Sequence, residues 1–255
     1  MKRIVVITFV ALVAWMLLPA RGQDAKPANS AGAQRPETFE KQVTVTRKAN
    51  YLLYLPKRYG EDPQKKWPVI LFLHGSGERG ADINLVKLHG PPKVIEQGRE
   101  LPFVVVSPQC PEGKWWDPDV VVALLDEVVA KYNVDADRIY LTGLSMGGYG
   151  TWETAVNYPD RFAAIAPICG WGNRYRTPDI RHIPTWVFHG DKDQAVSVNE
   201  SVEMVETLKR IGGNVRLTRY PDAGHDSWTA TYEHRALYDW FLQHKRGQRP
   251  AGAAK

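Results

Sequence analysis

Six short strand-like runs, separated by stretches of helical periodicity, constrain this 255-residue chain more than any other feature. They lie at 68–73, 102–107, 139–142, 163–167, 185–188 and 215–220. Val69-Ile70-Leu71-Phe72-Leu73 and Phe103-Val104-Val105-Val106 have no polar residue at alternate positions. Strands of that kind are buried on both faces, as in a parallel sheet covered by helices. Helix signals fall between them. Asp117-Pro118-Asp119 offers an N-cap, a proline in the first turn and an acidic start, and Val121, Leu124, Leu125 and Val128 follow at helical spacing. Ser197 to Glu200 reads as a capping box before Val202, Val205 and Leu208. Residues 228–245 read as one C-terminal helix, and residues 42–46 and 51–54 as an initial antiparallel hairpin joined through Lys48-Ala49-Asn50. The pattern predicts an α/β fold: a mostly parallel central sheet of about eight strands with helices on both faces.

Ligands of such sheets bind beyond the carboxyl ends of the strands. Four of those ends are polar here: residues 74–80 (His-Gly-Ser-Gly-Glu-Arg-Gly), 143–147 (Gly-Leu-Ser-Met-Gly), 189–193 (His-Gly-Asp-Lys-Asp) and 222–226 (Asp-Ala-Gly-His-Asp). Gly143-Leu144-Ser145-Met146-Gly147 is a strand running into a helix through a serine turn. A serine hydroxyl is a poor nucleophile unless it faces a base, and a sharp turn flanked by glycines presents it that way. The pentapeptide alone is weak, because a glycine-rich turn with a solvated serine has the same sequence. Its position beyond a buried strand, with an Asp and a His ending later strands, makes Ser145 the candidate nucleophile.

The order Ser, Asp, His along the chain resembles the α/β-hydrolase superfamily. In detail the folded part is similar to the dienelactone-hydrolase-like and prolyl-oligopeptidase-like branch, which includes small secreted esterases and peptidases. The acid of that branch follows a His-Gly turn as His-Gly-x-x-Asp-x-x-Val, which here runs from His189-Gly190 to Asp193 and Val196. The resemblance therefore implies Asp193, rather than Asp191, as the acid, and Gly224-His225 as the base. Dienelactone hydrolase itself uses a cysteine where this chain has Ser145, so that activity is not implied, and the chain has no room for the β-propeller of prolyl oligopeptidases.

In that arrangement His225 takes the Ser145 proton and returns it to the leaving group, Asp193 fixes the imidazole, and the backbone amides of Ser76 and Met146 hold the oxyanion. Glu78, Trp116, Trp171 and Trp228 are candidate substrate contacts, set against the plainer reading of salt-bridging and core packing. His74 and His189 read as structural residues of their turns. His189, Asp191, Asp193 and His225 could in principle hold a metal, but that leaves Ser145 unexplained, so no metal and no cofactor is expected. The segment 168–184 is too short for a large lid, which suits small or polymeric ester substrates. The alternatives are a serine peptidase of the prolyl-oligopeptidase type and a non-catalytic binding module with the same fold.

Lys2 and Arg3 precede an apolar run from Ile4 to Leu18 and small residues at Ala20 and Ala25. This reads as a signal peptide over 1–22. The run is shorter than the ~20 residues of a membrane span, so a retained anchor is disfavoured and a secreted or periplasmic protein is expected. Residues 23–37 read as a disordered linker, 38–246 as the folded domain and 247–255 as a flexible tail. The formal charge of +5 becomes +2 once Lys2, Arg3 and Arg21 leave with the leader, and no basic run is interleaved with aromatics, so nucleic acid is not an expected partner. Cys110 and Cys169 could bridge after export, yet spacing does not pair them, and two buried thiols are the simpler expectation.

Overall fold

The computed structural model describes residues 36–248, with 32 and 34. The expected leader, most of the linker and most of the tail lie outside the described residues. The described residues from Val45 to Gln248 form one compact unit. It is built on a seven-stranded sheet: β1 (Asn50–Tyr54), β2 (Trp67–Leu73), β3 (Val104–Gln109), β4 (Val134–Leu144), β5 (Ala164–Ile168), β6 (Thr185–Gly190) and β7 (Val215–Tyr220). The spatial order is β1-β3-β2-β4-β5-β6-β7. Only the β1–β3 pair is antiparallel.

The period-2 alternation of strand side chains separates two cores. Val69, Leu71 and Leu73 of β2 join Ile139 and Leu141 of β4 in one cluster. That cluster packs under α2 (Pro118–Lys131), α3 (Met146–Asn157) and α5 (Val198–Arg210) through Leu125, Trp152 and Met204. Ile70 and Phe72 join Tyr140 and Leu144 on the opposite face, under α1 (Gly90–Glu96), α6 (Trp228–Glu233) and α7 (Arg235–Leu242). Asp117 caps α2 as its sequence predicts, its carboxylate accepting from the Asp119 amide at 2.9 Å. Between β5 and β6 lie only a single 3-10 turn and the short α4 (Thr177–Ile180), so there is no large lid.

Two expectations are corrected. Residues 42–46 form no strand, so the initial hairpin is absent, while the seven-stranded, mostly parallel sheet is the expected architecture. Lys48-Ala49-Asn50 lacks the Asn-Gly or Asp-Gly chemistry of a tight hairpin turn, and Val43 and Val45 stay exposed; β1 pairs instead with β3, some fifty residues away. The C-terminal helix is two helices. His234 adopts an extended backbone between α6 and α7, and its ring Nδ1 accepts from the Ala236 amide at 3.1 Å, which starts the second helix afresh.

Two core imidazoles make the fold sensitive to acid. His74 and His244 are buried, and burial pushes each down from 6.5 to about 4. Between those values the unfolded chain binds a proton that the folded chain refuses, so stability rises with pH through the window. His74 is worth up to ~3 kcal/mol across it, and the less enclosed His244 less. The melting temperature is expected to fall steeply as pH drops from 6.5 to 4, and His244→Leu should flatten part of that slope. An unchanged slope in the variant would refute the assignment.

Candidate active site

The chain runs from β2 to β3 on one side, then crosses to β4 on the other side of β2. The topological switch point therefore lies between the carboxyl ends of β2 and β4, where a doubly wound sheet opens a crevice. The Ser76 loop follows β2 and Ser145 follows β4.

The serine turn is crowded on every side. A Cβ at Gly147 would stand 1.9 Å from the Leu73 carbonyl oxygen, and one at Gly143 would stand 2.3 Å from the Gly147 oxygen. Glycine is therefore required on both flanks. Ser145 itself has φ 53°, a left-handed conformation that costs a residue with a Cβ ~1–3 kcal/mol and persists because its surroundings enforce it. Its amide donates to the Ile168 carbonyl of β5 at 2.9 Å. Cys169, next along β5, is also left-handed at φ 39°. Met146 opens α3, where an amide has no carbonyl one turn back to donate to.

Asp193 is 7% exposed and sits at the centre of four N–H donors. Its Oδ1 accepts from the amides of Ala195 and Val196 at 2.8 and 2.9 Å. Its Oδ2 accepts from His225 Nδ1 at 2.7 Å and His189 Nε2 at 3.1 Å. Burial raises the carboxyl, but the hydrogen bonds from His225, Val196 and Ala195 outweigh it and leave Asp193 below the ordinary carboxylate range. An ionised carboxylate only accepts, so the His225 proton is on Nδ1 and Nε2 is a lone pair. Ser145 Oγ–H donates to that lone pair at 2.9 Å. The arrangement gives a hydroxyl a route to lose its proton and a place to store the resulting positive charge.

Asp191 does not take part. Its carboxylate accepts from Arg219 Nε at 2.6 Å at the surface, so the four residues considered as a metal set are not assembled. Three side chains of ligating type do lie within 4.8 Å of one another, Cys169, Asp193 and His225. The Cys169 thiol is pushed up to about 12 by burial, so it stays protonated. Both cysteines are buried and free.

The Ser76 loop is pinned by its neighbours. Cys110 N–H donates to His74 Nε2 at 2.9 Å, so the His74 proton is on Nδ1, which donates to the Gly75 carbonyl at 2.6 Å. That carbonyl and the Ser76 N–H belong to one trans peptide and point opposite ways. Fixing the one aims the other. Arg79 Nε holds the Ser76 carbonyl at 3.0 Å.

A family model named Esterase matches residues 43–239. The chain belongs to the Esterase family. Its fold is that of the α/β-hydrolase superfamily, and the chain spans about a fifth of the length of the first curated relatives it matches. A solved thermostable esterase is 36% identical with a TM-score of 0.67, over 77% of this chain and 59% of that one. The poly(3-hydroxyoctanoate) depolymerase of Pseudomonas fluorescens is 26% identical over 72% of this chain and 77% of its own. The bifunctional acetylxylan esterase/xylanase of Neocallimastix patriciarum is 28% identical over 52% of this chain, and the match spans only 20% of that longer protein.

Around Ser145, the candidate substrate contacts divide. Trp116 is buried, donates its indole N–H to the His74 carbonyl at 3.1 Å and packs on Gly150, so it is a core residue rather than a substrate contact. Glu78 is corrected likewise: it is buried, and its Oε2 accepts from the Gly75 amide at 2.9 Å. Trp171 remains partly open and stacks on Tyr149, with ring centroids 5.1 Å apart. Trp228 meets His225 edge to face at 5.2 Å. Sequence reasoning missed His89, which accepts from the Trp228 indole N–H at 3.3 Å. It also missed Tyr149, although Tyr149 lies one helical turn beyond Ser145 and was open to that inference.

Proposed function

We propose that this esterase cleaves acyl groups from polysaccharide through an acyl-enzyme on Ser145, after export from the cell. The observation that carries the reading is the hydrogen-bonded line from Ser145 through His225, which takes the proton, to the ionised Asp193 that orients it. Ser145 Oγ attacks the ester carbonyl as its proton passes to His225 Nε2. The new oxyanion is met by the amides of Met146 and Ser76, each such donor being worth ~3 kcal/mol. When the tetrahedral intermediate collapses, the C–O bond to the alcohol breaks and His225 delivers the proton to the departing oxygen. Water then repeats the attack on the acyl-enzyme, His225 takes its proton and returns it to Ser145, and the acid is released.

Three observations favour a polymeric, ring-containing substrate. No large lid covers the serine. Trp115, Tyr149 and Trp171 form one ring cluster at the carboxyl edge, with Trp115 54% exposed. Flat aromatic faces left in water suit the apolar face of a sugar ring. Among the relatives, an acetylxylan esterase acts on such a polymer by name. Export rests on the basic and apolar character of residues 1–18. No helix of the described residues is long and apolar enough to cross a membrane.

Activity on acetylated xylan, a polyhydroxyalkanoate film, p-nitrophenyl acyl esters and aminoacyl-nitroanilides tests the reading in one panel. Release of acetate from xylan is expected, with nitroanilides turned over at least about 10³-fold more slowly than esters. Efficient nitroanilide cleavage would favour the peptidase alternative, and preference for the film would replace polysaccharide with polyester.

A further inference from the structure

A buried carboxylate beside a serine hydrolase's oxyanion loop calls for a reason, because an apolar side chain would fill the same space at less cost. Glu78 is such a group. One oxygen, Oε2, accepts from the Gly75 amide at 2.9 Å. Gly75 has no space for a side chain on this side: a Cβ would stand 2.8 Å from Leu144 Cδ1 and 3.2 Å from Glu78 Oε2. The other oxygen, Oε1, lies 3.6 Å from Nε2 of His89. His89 accepts the Trp228 indole N–H on Nδ1 at 3.3 Å, so the proton of its neutral ring sits on Nε2 and faces Glu78. Trp228 in turn stands edge to face against both rings, at 5.4 Å from His89 and 5.2 Å from His225. The backbone after His89 cannot drift, since Gly90 packs so tightly on Phe72 that a Cβ there would be 2.4 Å from the ring.

The line Gly75–Glu78–His89–Trp228–His225 thus runs from the oxyanion loop to the general base without passing through Asp193. We propose that Glu78 and His89 are a second acid–imidazole pair that does no proton transfer itself and positions the two halves of the catalytic apparatus relative to one another. Glu78 holds the peptide that precedes the Ser76 amide. His89 holds Trp228 as a wall that keeps the partly exposed His225 ring from swinging away from Ser145. His74 also lies 3.8 Å from Glu78, but its Nδ1 proton is committed to the Gly75 carbonyl, and burial keeps it neutral. Burial likewise raises the Glu78 carboxyl, with His89 and the Gly75 amide acting against it. The proposal rests on the reading of Ser145, Ser76 and His225 given above.

The test uses the full chain and p-nitrophenyl acetate, an ester too small to reach a distant subsite. Glu78→Ala is expected to lower kcat by about 10²-fold, the effect of misplacing one oxyanion donor, with KM changed less than threefold. Glu78→Gln keeps an oxygen for the Gly75 amide but turns an N–H towards the Nε2 proton of His89, so it is expected to recover kcat only to the level of His89→Ala, about tenfold below the parent. His89→Ala and Trp228→Phe each break the same indole–imidazole contact. Each should lower kcat about tenfold, and the double variant should be no worse than either single one. Wild-type kcat in well-folded Glu78→Ala, a loss confined to KM, or a Gln variant no better than Ala would each overturn the assignment to Glu78. Fully additive effects of His89→Ala and Trp228→Phe would overturn the assignment to His89, and that pair decides the matter if Glu78→Ala does not fold. Ser145→Ala is measured alongside. If it keeps activity, the nucleophile reading fails and takes this proposal with it; if it is inactive while Glu78→Ala matches the parent, only the positioning pair falls.

Discussion

Ser145→Ala is expected to lower kcat on p-nitrophenyl acetate by about 10⁵- to 10⁶-fold, with the melting temperature within a few degrees of the parent. The size follows from losing the covalent route altogether: water must attack the ester directly, helped only by the oxyanion amides and by binding. The small effect on stability follows from the position. The hydroxyl makes one hydrogen bond, to His225 Nε2 at 2.9 Å. The left-handed backbone at φ 53° is strained for alanine as it is for serine, so the substitution neither relieves nor adds strain. A fluorophosphonate should label the parent stoichiometrically and leave the variant untouched. A variant that keeps more than a hundredth of the parent's kcat would mean that another nucleophile carries the reaction.

The parts of this fold and site that were legible in the sequence are those that depend on local pattern. Val69 to Leu73 announce a strand buried on both faces because no polar residue interrupts them, and the two core clusters use alternate members of that run. Asp117 and Pro118 announce the start of α2 by cap chemistry alone. What was not legible depends on partners far away in the chain. The partner of β1 is β3, and nothing in residues 42–54 says so. A helical period running from Trp228 to Lys245 hides the break at His234, because the amphipathic stripe continues on both sides of it. Side-chain direction beyond a strand end is similarly hidden. Trp115 and Trp116 are adjacent, yet one is half exposed and the other buried. His89 sits in a His-Gly-Pro-Pro turn with no motif to mark it, and the indole that gives it a place is 139 residues on.

The choice between Asp191 and Asp193 has the second-largest expected consequence. Asp193→Asn is expected to lower kcat by about 10⁴-fold, which is ~5.5 kcal/mol of transition-state stabilisation, whereas Asp191→Asn should stay within about threefold of the parent. The asymmetry follows from hydrogen-bond roles. Oδ1 of Asp193 accepts two backbone amides, from Ala195 and Val196, so in the asparagine variant the carbonyl oxygen is held in that place. The amide nitrogen then occupies the Oδ2 position, where it meets His225 Nδ1 and His189 Nε2. A donor there drives the His225 proton from Nδ1 to Nε2, and a protonated Nε2 has no lone pair for the Ser145 hydroxyl. The variant keeps its shape and loses its base. His189 does not compensate, because its Nδ1 accepts from Ser201 Oγ at 2.8 Å and its own proton is aimed at the same crowded oxygen position and the Val196 carbonyl. Asp191 lacks any such role: it offers Arg219 a surface ion pair, a contact worth no more than ~1 kcal/mol. Kinetics of the two variants at neutral pH, with a melting curve for each, decide the matter. A larger loss from Asp191→Asn than from Asp193→Asn would move the acid two residues back along the chain and undo the tautomer assignment for His225.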